Sequence, residues 1–142
     1  MPKRTSAADA AAIAVPLRIV LVTLDGHVAG AAVRAEKRLR RELPGLVFSV
    51  HAASEWGEDA GALQSCLDDI ARGDIILATM LFMEEHVLPV LAALKARRDH
   101  CDAMVCAMCA GEVTKLTRMG RFAMDTKPGG MMGLLKRLRG KP

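Results

Sequence analysis

Tyrosine is absent from the 142 residues, and the whole aromatic complement is one tryptophan, Trp56, and three phenylalanines. Stacking on bases or sugars is therefore poorly provided for, and no nucleic-acid partner is expected. Long apolar runs are missing too. No window reaches the ~18 uninterrupted apolar residues of a membrane span, so the expectation is a soluble, cytoplasmic protein without a transmembrane segment, its basic tail leaving peripheral membrane contact open. The opening "MPKRTSAADAAAIAVP" does not read as a secretory signal, because Asp9 interrupts its apolar stretch. Without export, the four cysteines imply a reducing compartment, and disulfides are not expected. Acidic charge is scarce at one end. From Lys115 to Pro142 eight basic residues face Asp125 alone, so that segment carries +7 and everything before it −3, within an overall +4.

What the chain has in quantity is aliphatic bulk. Apolar residues make up 51% of it, enough at this length for one domain with its own core. "LRIVLVT" (17–23), "LVFSVHA" (46–52), "DIILATM" (74–80) and "DAMVCAM" (102–108) are short apolar runs that read as strands, the first of them buried on both faces. Between them lie helical patterns. "GHVAGAAVRAEKRLRREL" follows a capping Asp25 and ends at Pro44 and Gly45, and "ALQSCLDDIAR" ends at Gly73. A third helix starting near His86 places Pro89 in its first turn, where the missing N–H has no partner to lose. "GEVTKLTRM" starts a fourth.

Alternating strands and helices joined by right-handed crossovers predict an α/β fold. The sheet is open, parallel, covered on both sides and flavodoxin-like, with strand order 2-1-3-4. The expected divisions are a flexible segment over 1–15, the α/β domain over 16–120, and a basic tail or linker start over 121–142. In that tail "RFAMDTKPGG" reads as loop and "MMGLLKRLR" as a short amphipathic basic helix with nothing obvious to pack on.

Ligands of such sheets bind outside the carboxyl ends of the strands. There the sequence sets Asp25 and His27 after the first strand, His51 and Glu55 after the second, Glu84, Glu85 and His86 after the third, and Glu112 after the fourth. Carboxylates and imidazoles on one edge can hold a divalent metal or move protons. Asp25, Glu84, Glu85 and Glu112 also fall at helix N-termini, where acidic groups cap N–H groups and complement the dipole, and that reading is preferred. The turn "TLDGHVAGAA" has neither a G-x-G-x-x-G nor a G-K-[ST] pattern, and Asp25 repels phosphate, so no dinucleotide or ATP site is read there.

Cys106 and Cys109 stand at C-x-x-C spacing where the fourth strand meets a helix. A reactive first cysteine needs exposure at a helix N-terminus, whereas Cys106 lies inside "MVCAM". A structural zinc needs two further ligands, and His100 and Cys101 sit at the other end of the same strand. Packing as small apolar residues is favoured, with redox and metal roles left open.

Three stretches, "IVLVTLDGHVAGAA", "DIILATMLFMEEHVLPVLAAL" and "CDAMVCAMCAGEVTKLTRMGRFAM", resemble in wording, order and spacing the N-terminal domain of the large porphyrin-binding H subunit of bacteriochlorophyll-type magnesium chelatases, relatives of the cobaltochelatase large subunit. The resemblance implies a fragment of a much longer protein of (bacterio)chlorophyll biosynthesis. In that family the H subunit binds protoporphyrin IX and hosts magnesium insertion, a ligase reaction forming nitrogen–metal bonds, while separate ATPase-type subunits hydrolyse ATP. Magnesium and ATP are then cofactors of the whole complex. This piece is expected to need none, to be inactive alone, and to have as partners the remaining H-subunit domains and, through them, the ATPase subunits and protoporphyrin IX. No catalytic residue carries over. The resemblance also implies a small residue at the position of Cys109, which sides with packing. The alternative is a stand-alone flavodoxin-like module that binds a small ligand or regulates.

Overall fold

A computed structural model describes residues 16–124. The segment 1–15 and most of the basic tail, including its amphipathic stretch, lie outside the described residues. The strands are β1 (Leu17–Thr23), β2 (Leu46–Ala52), β3 (Ile75–Thr79), β4 (Ala103–Ala107), β5 (Arg118–Met119) and β6 (Phe122–Ala123). The helices are α1 (Ala29–Glu42), α2 (Ala60–Arg72), α3 (Glu84–Arg97) and the single turn α4 (Gly111–Thr114), with 3-10 turns at Gly26–Val28 and Ala53–Glu55. The sheet runs β2-β1-β3-β4-β5-β6. Its first four strands pair in parallel in the expected order, and the last two are antiparallel.

Register decides what each face holds. Val20 stands beside Ile76 and Ile76 beside Met104; Val22 stands beside Ala78 and Ala78 beside Cys106. Side chains alternate across a strand, so these six share one face. They form the core with Cys66 and Ile70 of α2 and Val87, Val90 and Leu94 of α3. Each fully buried Val, Leu or Ile there contributes roughly 1.5–3 kcal/mol relative to exposure. Arg18 and His51, on the same face, both reach Asp69 of α2. Helix α1 belongs to the opposite crossover and packs on β2.

Coverage of the two faces is unequal among the described residues. In β3 and β4 the buried residues Ile76, Ala78, Met104 and Cys106 alternate with the half-buried Ile75, Leu77, Ala103 and Val105. The apolar runs led to the expectation of a sheet covered on both sides. Here α2 and α3 cover one face, whereas α1 lies towards β2 on the other.

Two local expectations need correction. Helix α3 starts at Glu84, two residues earlier than expected, so Pro89 lies in its second turn and inside the helix. Pro89 cannot donate to the Glu85 carbonyl, but Glu85 is exposed to water, and Val87, Val90 and Leu94 hold both sides of the break to the core. The fourth helix is one turn long and stops at Thr114. Thr117 then turns inward, its hydroxyl accepting from Cys106 N (2.9 Å) and donating to Cys106 O (3.1 Å). This side chain satisfies the backbone of β4 where a neighbouring strand would, and β5 and β6 follow through a turn at Gly120, whose φ of 57° is left-handed.

Gly73 joins α2 to β3 at a close approach. A Cβ there would meet Ile76 Cγ1 at 2.9 Å, Val20 Cγ2 at 3.1 Å and Asp69 O at 3.3 Å. Overpacking of this kind costs about 1–3 kcal/mol. Gly73→Ala is therefore expected to lower the urea midpoint by an equivalent amount, and an unchanged midpoint would show that the seam yields.

Candidate functional site

The carboxyl edge of the sheet is built by the connections after β1 to β4. After β1, Asp25 accepts from the backbone N–H of His27 at 3.1 Å and pairs with the His27 ring. The hydrogen bond from that ring, then the backbone one, holds the Asp25 carboxyl below its ordinary range. Asp25 thus caps the first 3-10 turn, as expected. Glu84 and Glu85 occupy the first turn of α3, and Glu112 that of α4. None is the residue preceding its helix, a place taken by Met83 and Ala110, so they complement the free N–H groups by charge without side-chain capping bonds.

His51 leaves this edge. It is the penultimate residue of β2, and its Nε2 lies 2.7 Å from Asp69 Oδ2, with Arg18 and Arg72 at 3.7 and 3.6 Å from the other oxygen of that carboxylate. Glu55 ends the second 3-10 turn, and its carbonyl accepts from Asp59 N. His86 Nε2 lies 3.8 Å from Glu85 Oε1. Among the described residues, no group of three or more His, Cys, Asp or Glu side chains is placed to hold a metal ion.

The structure does bring the connection after β2 against the start of α3. Ala53, Ser54, Trp56 and Gly57 face Glu85 and His86 across a cleft of about 340 Å³. β1 lies between β2 and β3, so this cleft spans the strand at which chain order reverses, the position where open α/β sheets bind ligands. Ser54 N donates to Leu24 O at 2.8 Å, which fixes the loop over the end of β1. His86 Nδ1 is buried and has no hydrogen-bond partner among the described residues. Trp56 and Ser54 were not singled out as site residues from the sequence, although a lone tryptophan in a loop after a strand was a visible signal.

Further along the edge the surface becomes apolar. Phe82, Met83 and Met108 are each more than half exposed. Met80 and Met108 have φ of 62° and 55°, sparsely populated for residues other than glycine. Met80 N donates to Met108 O at 2.9 Å and Ala110 N to Leu81 O at 2.8 Å, so the two connections are bonded to each other.

The cysteines are all free thiols. Cys106 is in the core, and burial first, then the Cys109 thiol nearby, pushes it up to about 12. Burial does the same to Cys66, to about 12, with a contribution from the Asp69 charge. Cys109 is half-buried and is also raised by burial. A thiol shifted in this direction is a poor nucleophile.

The family described as "Domain of unknown function (DUF3479)" matches residues 18–142. The magnesium-chelatase H subunit of Cereibacter sphaeroides is 46% identical over 122 residues, covering 86% of this chain and 10% of that protein. The H subunit of Rhodobacter capsulatus is 40% identical over 123 residues, covering 87% of this chain and 10% of that protein. The chloroplastic ChlH subunit of Oryza sativa subsp. indica is 26% identical over 121 residues, covering 82% and 9%. The chain spans about a tenth of the length of these curated relatives.

Two expected outcomes follow from this geometry. Cys66 and Cys106 stay neutral in the fold up to about pH 12, whereas in the unfolded chain thiols ionise around 9.0. The unfolded state loses its protons first, so their contribution is complete below pH 9 and is lost towards pH 12, at about 1.4 kcal/mol per pH unit for each thiol. Denaturation of wild type and Cys106→Ala between pH 8 and 11 should show the shallower decline in the variant; equal slopes would place that thiol in water. Separately, Glu84→Gln combined with Glu85→Gln is expected to cost less than ~1 kcal/mol. Melting of both proteins with and without magnesium checks this, and a magnesium-dependent rise abolished by the substitutions would assign the pair to a metal instead.

Proposed function

The chain belongs to the DUF3479 family, and from that membership and its likeness to chelatase H subunits we propose that it serves as a segment of a magnesium-chelatase H subunit in (bacterio)chlorophyll biosynthesis. The observation that carries this reading is the 46% identity to the Cereibacter sphaeroides protein, sustained over 122 residues. In the proposed setting the complete protein binds protoporphyrin IX, and magnesium is inserted with ATP hydrolysed by ATPase-type partner subunits. This segment is structural or partner-contacting. Magnesium is substrate to that reaction, and neither it nor ATP is a resident cofactor of these residues. The complex works in the cytoplasm, with contact at a membrane surface open to it.

The geometry supports a supporting role over catalysis. A porphyrin site must bury most of a broad, flat, apolar ring, whereas the cleft beside Trp56 and His86 measures about 340 Å³ and is open on one side. That cleft favours a second reading, in which the domain also binds a small ligand at the carboxyl edge.

A chimera tests the first reading. Replacing the matching tenth of the Cereibacter sphaeroides protein by this chain is expected to preserve magnesium insertion into protoporphyrin IX within a few-fold, followed by metalloporphyrin absorbance and fluorescence. The chain alone, mixed with protoporphyrin, magnesium, ATP and the ATPase subunits, is expected to give no product. A folded but inactive chimera, or turnover by the chain alone, would refute the assignment.

A further inference from the structure

Independently of the chelatase reading, we infer that the outward face of α1 is a docking surface for an acidic helix of another polypeptide. Arg34, Lys37, Arg38 and Arg41 stand at i, i+3, i+4 and i+7 in α1, so they form one stripe about 10 Å long. All four are exposed, and none has an ion-pair partner among the described residues. The charges turned towards β2 are arranged otherwise: Glu36 and Arg40 pair with each other at 3.4 Å, and Arg40 Nε donates to Leu46 O at 3.2 Å. Ala32 is buried on that side. Gly30 continues the stripe by one turn towards the amino end, and a Cβ there would stand 3.4 Å from Arg34 Nη1. The Arg34 guanidinium thus lies back along the stripe, over a position without a side chain.

Charge selects the occupant. Like charges at these spacings repel one another and weaken the helix that carries them, so a partner that meets the stripe must be acidic. The chain's remaining segments do not fit. Residues 1–15 carry Lys3 and Arg4 against Asp9, and residues 125–142 carry Lys127, Lys136, Arg137, Arg139 and Lys141 against Asp125. Both segments, which lie outside the described residues, are net basic, and the acidic cover therefore comes from another molecule. Three of the four cations are arginines, whose planar forks pair bidentately with carboxylates. Carboxylates at the same helical spacing on a partner would meet them in register. A lipid surface is served less well, because a helix that lies in a membrane turns its apolar side to it, and α1 turns that side towards β2. Nucleic acid is disfavoured as well, since α1 carries no aromatic residue on which a base could stack.

Two labelled alanine-rich helical peptides of about 20 residues and identical composition provide the probes. One carries its glutamates at i, i+3, i+4 and i+7, and the other has them scattered round the helix. By fluorescence anisotropy the full chain is expected to bind the striped peptide several-fold more tightly, with a margin that shrinks as salt is added. Arg34→Gln, Lys37→Gln, Arg38→Gln and Arg41→Gln together should abolish the margin. Lys136→Gln, Arg137→Gln, Arg139→Gln and Lys141→Gln, which remove as many cations from the tail, should leave it unchanged. Replacing the four stripe residues by glutamate should transfer the preference to a striped peptide bearing lysines, a gain that an unfolded variant could not show. Equal affinity for the two glutamate peptides, or a margin lost with the tail substitutions, would overturn the inference. Tighter binding to phosphatidylglycerol–phosphatidylcholine vesicles or to duplex DNA than to the striped peptide, abolished by the stripe substitutions, would overturn it in favour of lipid or nucleic acid.

Discussion

The fold depends on the in-register parallel pairing of β1, β3 and β4. That register lines Val20 with Ile76 and Met104, and Val22 with Ala78 and Cys106, so that two rows of apolar side chains cross the sheet on one face. Helices α2 and α3 dock on those rows, and the glycine between α2 and β3 is required by the depth of that docking. A one-residue slip would turn both rows to the opposite face. The pinning contacts lie at the amino ends of the strands: Arg18 N donates to Asp74 Oδ2 at 2.8 Å, and Asp102 N to Asp74 O at 2.8 Å. Asp74 therefore ties β1 and β4 to the start of β3, and register is fixed before the core rows begin.

The carboxyl edge is built differently. Its acidic residues are spread over four separate connections, with Asp25, Glu84, Glu85 and Glu112 answering the N–H groups of their own helices, and His86, which lines the cleft, lies 3.8 Å from Glu85. The edge is held together by backbone bonds between the connections after β3 and β4. Left-handed Met80 and Met108 are where the chain accommodates that bond, and the strain they carry is offset by the bonded connections and the buried Leu81 next to them.

Strand positions and order were legible because parallel strands with apolar side chains on both faces leave short, dense runs that glycine, proline and capping aspartates punctuate. Asp25 and the stop at Gly73 were visible for the same local reason. What escaped was long-range. Asp69 partners His51 from 18 residues away, and Thr117 bonds the backbone of Cys106 across 11. Neither relation has a periodicity. The hairpin of β5 and β6 is made of two-residue strands, too short to alternate detectably, so its residues read as helix and loop. Pro89 was set in the first helical turn by the general cost of proline, which here is outweighed by the buried side chains on either side of it.

The central position of β1 has a consequence for synthesis. It comes earlier in the chain than both of the strands between which it lies. Val20 is complete about eighty residues before Met104, the last member of its row. At ~5–20 residues per second, that interval is roughly 4–16 s. For that time β1 of the nascent domain has β2 as its first available neighbour and no finished core to enter.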